Sequence, residues 1–393
     1  MKYLILGMWV TPILSYAMSF NTLTERAYDV SGEMIQKAGY ANAIPYEKAS
    51  ALAHDPLRIE GSARKIRGDD PVDSGMEYGA MVDFSVKMPG FRNAQGREYD
   101  LLSSMAEHEI KSEQGRIQVA LKRDWLLAEL EREKVKILTQ KLALSRDAYT
   151  IGSKKNQAGR MSQMELLRLE TERHNAEQEY AAARMEYEHA QHRLKEAIMS
   201  HEEVVVDDLS FAFVSKEQVH ERIDKALMIQ TLNLRIEELD AQIETTRRST
   251  FESLSMGIGM TREPTQNSAD FRVSIPLSWS EKNEKKIAAL MSERSALVQR
   301  RDVSTQRLRL SVDALSDHLA EREQRIKEIV STEKQYETLF TMAHKGLEGG
   351  VVTQFEYLST KNAFYDHRLR ALELKRSYIE EMSTIEEKIG GIL

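Results

Sequence analysis

The sequence predicts a mainly α-helical chain with a β-barrel part, built as a tandem repeat that joins strand pairs to long helical hairpins. Three observations predict it: two short motifs that return in order, a proline distribution that leaves long windows free for helix, and apolar–polar alternation near the prolines. Asp83-Phe84-Ser85-Val86-Lys87-Met88-Pro89 returns as Asp270-Phe271-Arg272-Val273-Ser274-Ile275-Pro276. Gly159-Arg160-Met161-Ser162-Gln163-Met164-Glu165-Leu166-Leu167 returns as Gly350-Val351-Val352-Thr353-Gln354-Phe355-Glu356-Tyr357-Leu358. The two offsets differ by about one helical turn. Two matches in one order, with matching surroundings, mark a duplicated unit.

The elements follow in order. Residues 1–17 read as a secretory signal: Lys2, an apolar run from Tyr3 to Leu14, then Ser15-Tyr16-Ala17 as a small-x-small cleavage site. An apolar N-terminal strand is the other reading. The run is too short to span a bilayer, and no other stretch is long and apolar enough. A membrane-inserted mature chain would therefore have to be a barrel. Residues 18–202 form the first repeat: short helices over 20–54, a β-hairpin over 56–89 and a helix hairpin over 97–200. Residues 203–393 form the second: a strand element over 204–213, a helix over 216–249, a β-hairpin over 250–276 and a helix hairpin over 281–389.

Proline supports this division. The 7 prolines stand at 12, 45, 56, 71, 89, 264 and 276, so none interrupts 90–263 or 277–393. Within those windows lie the first long helix, 97–150, and its counterpart, 281–345. Ile110, Ile117, Leu121 and Ala128 share a 7+4 rhythm with Leu308, Leu315, Leu319, Ile326 and Val330. That is an eleven-residue repeat, which gives a nearly straight or slightly right-handed bundle. Return helices over 160–200 and 353–389 follow glycine-containing turns.

In the strand segments Tyr78, Ala80, Val82, Phe84, Val86 and Met88 alternate with Glu77, Gly79, Asp83, Ser85 and Lys87. Leu254, Met256, Ile258 and Met260 alternate with serines and glycines, and Phe271, Val273 and Ile275 with Arg272 and Ser274. Such alternation suits a barrel that faces lipid outside and water inside. It suits a two-sided sheet in a soluble protein equally well. Four strands cannot close a barrel, and unpaired backbone groups in hydrocarbon cost several kcal/mol each, so a membrane location requires several copies. Eight strands leave an interior filled with side chains, so a water-filled conduit requires more.

Composition narrows the function. Charged residues make up 30% and aromatics 7%, with a mean hydropathy of −0.49, which favours long helices with narrow seams over large globular cores. A net charge of −7 without a basic cluster offers no nucleic-acid footprint. The absence of cysteine excludes disulfides, thiolate metal sites and cysteine catalysis. Gly152-Ser153-Lys154-Lys155 lacks the phosphate-loop frame. His201-Glu202-Glu203 reads as a helix end, the methionines as core filler, and Asp69, Asp70 and Asp73 as a polar turn. No cofactor, resident metal or catalytic constellation is expected.

Together these residues resemble the TolC-type outer-membrane efflux protein family, over essentially the whole mature chain. The resemblance implies a homotrimer with a 12-stranded transmembrane barrel and a helical tunnel across the periplasm of a Gram-negative bacterium. It implies a passive duct in a tripartite efflux or type I secretion system, partnered by outer-membrane lipid, a periplasmic adaptor and an inner-membrane transporter. The turn glycines Gly152, Gly159, Gly346, Gly349 and Gly350 would form the adaptor-docking tip, or serve only to turn the chain. Glu356 aligns with the first acidic position of the family's tunnel gate, and Glu165 holds the same place in the first repeat. The second acidic position falls on Ser359, which puts a double ring in doubt. A solvated helix-face glutamate is the other reading for both. Pro89 with Phe91 and Pro276 with Trp279 would mark the barrel–tunnel junction, their aromatics at the membrane interface, or would simply pack a corner. The competing functions are a periplasmic adaptor, which resembles one hairpin rather than two, and a coiled-coil scaffold, which leaves the strand alternation unexplained.

Overall fold

The computed structural model of the chain describes residues 18–66, 75–206, 209–263, 266–275, 281–349 and 351–393. The signal-like segment, the turn with Asp69, Asp70 and Asp73, and Pro276, Trp279 and Gly350 lie outside the described residues. The elements are α1 (Phe20–Val30), α2 (Gly32–Leu52), β1 (Arg58–Ile66), β2 (Gly75–Lys87), α3 (Pro89–Gln157) and α4 (Gln163–Ala197), followed by α5 (Lys216–Ile223), α6 (Leu227–Arg248), β3 (Ser253–Arg262), β4 (Asn267–Ser274), α7 (Lys282–Glu348) and α8 (Gln354–Ile389).

Several bounds differ from the sequence expectation, each for a local reason. Helix α3 starts at Pro89, not at 97, because proline fits the first helical position, where its missing N–H is not needed. The short helices over 20–54 are two, divided where Ser31 is extended and its N–H turns back to Tyr28 O. Pro45 does not break α2; it sits inside the helix at an exposed position. The single helix expected over 216–249 is two, broken where Lys225 and Ala226 bond back to Arg222 O and Ile223 O. Among the described residues of the strand element expected over 204–213, one parallel bridge forms, Met18 to Val206. Phe211 and Phe213 instead pack edge-on against Tyr378, with ring centroids 5.5 and 5.3 Å away, a geometry that aromatic quadrupoles favour.

The chain folds as two compact units, and each draws on both repeats rather than following the 202/203 division. One comprises the described residues among 1–34, 112–226 and 308–393, and is helical. Helix α4 buries Leu169, Ala176, Ala183 and Ala190 at every seventh position. By contrast, α7 buries Leu308, Val312, Leu319 and Ile326 at spacings of 4, 7 and 7, and α8 buries Tyr357, Phe364, Leu372 and Ile379 at 7, 8 and 7. Alanine at successive contact positions lets neighbouring helix axes approach closely. The expected 7+4 stripe is realised only in part: Leu308, Leu319 and Ile326 are buried, Leu315 is half-buried and Val330 is exposed. The uniform sevens of α4 are the coiled-coil period, while Leu308, Val312 and Leu319 of α7 keep one step of the eleven-residue one.

The second unit comprises the described residues among 35–111 and 227–307. Ile44, Phe91, Ala94, Ala106, Ile236, Leu239 and Ile243 form its helical core. Its sheet is fully antiparallel in the order β1-β2-β3-β4, so the hairpins of the two repeats join through β2 and β3. Register places Asp83 opposite Gly257, where a Cβ would lie 2.2 Å from the Asp83 carboxylate. Glycine keeps that strand crossing open.

Candidate functional site

Successive side chains on a strand point to opposite faces, so register alone sorts the sheet into two surfaces. Ile59, Val82, Ile258 and Phe271 form one row across all four strands. They are 77%, 40%, 58% and 69% exposed, so a continuous apolar row stands bare. Tyr78, Met260 and Val273 extend the same face and are also exposed. The next row, Arg58, Asp83, Gly257 and Arg272, lies on the other face with Glu60, Ser62, Arg64, Glu77 and Asp270. There Arg64 and Glu77, directly opposed, pair at 2.7 Å. A soluble sheet covers its apolar face with a core; this one shows that face to its surroundings. Strands β1 and β4 are the two edges, each pairing on one side only.

At the strand–helix corner β2 ends at Lys87 and α3 begins at Pro89, with Arg92 N–H closing onto Met88 O at 2.9 Å. Phe91 is 6% exposed, so it packs into the corner rather than presenting its ring at an interface. Pro276 and Trp279 are not among the described residues.

The two helix turns are built alike. Glu165 and Glu356 are both third-position residues of capping boxes. Glu165 Oε2 accepts from Ser162 N and Oγ at 2.9 and 2.8 Å, and Glu165 N–H donates to Ser162 Oγ at 3.2 Å. Glu356 repeats the arrangement on Thr353, at 2.9, 2.8 and 3.3 Å. In both, the backbone N–H and then the hydroxyl hold the carboxyl below its ordinary pKa. One oxygen of each carboxylate thus serves the cap. The signal was in the sequence, because Ser162-x-x-Glu165 and Thr353-x-x-Glu356 ahead of helices are capping-box patterns. Gln354 joins the two turns by donating its side-chain N–H to Glu165 O at 3.3 Å.

The turn glycines divide by cause. Gly159 has a φ of +69°, the left-handed conformation that a side chain resists. Gly152 and Gly346 are helical and admit neighbours: a Cβ would meet Leu169 at 2.3 Å and Val352 at 2.4 Å. Gly349 is exposed with ordinary clearance, and Gly350 lies outside the described residues.

Three solved structures match this architecture along nearly the whole chain. The outer-membrane protein VceC of Vibrio cholerae is 11% identical, with 95% of this chain and 96% of that one aligned and a TM-score of 0.72. CusC is 13% identical over 96% and 93%, with a TM-score of 0.73. The open state of the MtrE outer-membrane channel of Neisseria gonorrhoeae is 12% identical over 95% and 89%, with a TM-score of 0.72. The chain has the outer-membrane channel fold. No protein-family model and no curated protein matches the sequence.

Within the channel fold, the helical unit carries a polar network that the sequence did not single out. Lys361 on α8 is fully buried and donates to Ser145 Oγ on α3 and Glu172 Oε1 on α4, both at 2.8 Å. Lys122 donates to the buried Glu386 at 2.6 Å, and Lys141 to Glu179 at 2.7 Å. Arg322 grips Glu381 with two bonds of 2.7 and 2.8 Å. The Lys361 and Lys122 contacts tie helices of the two repeats together, whereas Lys141 with Glu179 and Arg322 with Glu381 join the two helices of one hairpin. Lysine and glutamate on a long helix ordinarily face water, so periodicity gives no warning of them.

Proposed function

We propose that three copies of this chain assemble into an outer-membrane duct, closing a 12-stranded barrel around a polar lumen and continuing as a helical tunnel in the periplasm. One observation carries the proposal: a four-stranded sheet with an exposed apolar face, a charged opposite face and an unpaired edge on each side. In hydrocarbon the apolar face is stable, whereas open edges are not. Pairing β4 of one copy with β1 of the next removes both. The likeness in fold to outer-membrane channels supports the same reading.

In this proposal the duct is passive, and no chemistry is asked of its residues. Residues 1–17 direct the chain out of the cytoplasm, and the repeats 18–202 and 203–393 supply equivalent parts of the wall. The hairpin turns with Gly152, Gly159, Gly346, Gly349 and Gly350 meet a periplasmic adaptor joined to an inner-membrane transporter. The free oxygens of Glu356 and Glu165 add negative charge at the tunnel's narrow end, which favours cations. Pro89, Phe91, Pro276 and Trp279 mark the join between barrel and tunnel.

The test is purification from membranes followed by mass determination and planar-bilayer recording. The proposal expects heat-sensitive trimers in the outer-membrane fraction and ion conductance. A water-soluble monomer without conductance would overturn it.

A further inference from the structure

Helix α5 is 8 residues long, buries Val219 and Ile223, and packs against α8. It also meets α7 in a ladder of ion pairs. Lys216 pairs with Asp317 at 2.8 Å, His220 with Asp313 at 2.7 Å, and the C-cap residue Asp224 with Arg309 at 2.8 Å. Residues four apart are neighbours on a helix surface. Positions 216, 220 and 224 therefore meet 317, 313 and 309 as three successive rungs between antiparallel helices. All six residues belong to the helical unit.

The middle rung is unlike the outer two. His220 has Nδ1 at 2.7 Å from Lys216 O and Nε2 at 2.7 Å from Asp313 Oδ1. A carbonyl oxygen and a carboxylate only accept, so both ring nitrogens must donate, and only the imidazolium carries two N–H groups. Neutral imidazole keeps one of these bonds and turns a lone pair toward the other oxygen. Imidazole is the side chain that ordinarily changes charge between about pH 5 and 8. The outer rungs rest on lysine and arginine. Their mutual hydrogen bond, and then their charges, raise the pKa of Lys216 and lower that of Asp317. The other charged neighbours are Glu217 on α5, which feels the His220 charge, and His318 on α7, which acts on Asp317. Among the described residues α8 places no ion pair or hydrogen bond on α5.

We propose that α5 is a strap that tightens in acid, three rungs holding it to α7 when His220 is protonated and the middle one weakening when it is neutral. The segment that joins the two repeats is thereby held more firmly at low pH than at high. The strap lies within the helical unit, so it operates whether or not the sheet enters a membrane.

The test is hydrogen–deuterium exchange of the full-length protein in phosphatidylcholine nanodiscs, read by mass spectrometry at about pH 5.5 and about pH 8, on either side of the imidazole range. Protection factors remove the pH dependence of the exchange chemistry itself and report the local opening of α5. The His220 and Asp313 side chains are 41% and 46% exposed, so the rung is a surface pair. Peptides covering 216–223 should accordingly be about threefold better protected in acid. His220→Gln should remove that difference, and His318→Gln should keep it. Equal protection at the two pH values in the unmodified protein would overturn the proposal. So would a threefold difference that survives His220→Gln, or one that disappears with His318→Gln. Should His220→Gln fail to fold, Asp313→Asn, which removes the charged acceptor, takes its place and should flatten the response in the same way.

Discussion

Replacing Lys361 with methionine keeps most of the aliphatic stem but removes the ammonium. Two bonds of 2.8 Å are lost, to Ser145 Oγ and Glu172 Oε1. The Lys361 side chain is 0% exposed and that of Glu172 only 16%, so the carboxylate is left nearly dry, with Asn362 at 3.4 Å as its remaining partner. Breaking a fully buried pair costs roughly 3–5 kcal/mol; the residual exposure of Glu172 places this loss near the lower end, about 3 kcal/mol. Replacing both partners, as in Lys361→Met with Glu172→Met, should recover most of that, because no charge then remains buried.

The pH dependence has a definite sign. Burial works against the Glu172 carboxylate, but the Lys361 hydrogen bond and charge outweigh it and hold its pKa below the ordinary value. A carboxyl with a depressed folded-state pKa contributes stability that is present above its unfolded value, about 4.3, and is lost as pH falls through the folded one. Urea unfolding followed by circular dichroism, at neutral pH and in acid, should therefore show less acid sensitivity from this site in the Lys361→Met protein. A single variant as stable as the parent, or a double variant less stable than the single, would refute the argument.

Other perturbations probe the remaining features. Ile258→Arg on the apolar face should cost about 2–4 kcal/mol of barrel stability if it sits near the bilayer midplane; Ser274→Arg on the polar face should leave trimer yield unchanged on unheated gels. Thr353→Ala and Ser162→Ala each remove a helix cap and should cost about 1 kcal/mol in the same unfolding experiment. Glu356→Ala should both lower the melting temperature and change cation block in bilayer recordings; a change in stability with unchanged block would leave the carboxylate a cap alone. Gly346→Val drives a side chain against Val352 and should open its turn to limited proteolysis, whereas Gly349→Ala should not.

Much of the fold is legible in the sequence because its signals are local. Alternation from Tyr78 to Met88 and from Leu254 to Met260 specifies strands, and proline-free windows admit helices of 69 and 67 residues. Local signals also mislead where geometry permits exceptions, as with Pro45 inside α2 or Pro89 opening α3. The capping boxes were written in Ser162-x-x-Glu165 and Thr353-x-x-Glu356, but a glutamate after a turn glycine reads as readily as a gate. The sequence left two readings for Phe91 and none for Lys361, because their burial depends on which distant helices cover them. The interleaving of the two units has the same origin, since α3 and α7 each pass through both.

The central seam of the sheet also sets a schedule for folding. Strand β2 ends at Lys87, but its partner β3 does not begin until Ser253. The first hairpin must therefore wait, its apolar side chains bare, until most of the polypeptide has been made. Contacts so far apart in sequence form slowly, and an unfinished chain with sticky strands invites aggregation. A holding chaperone that engages residues 58–87 during that interval would shield the nascent protein at its most vulnerable stage.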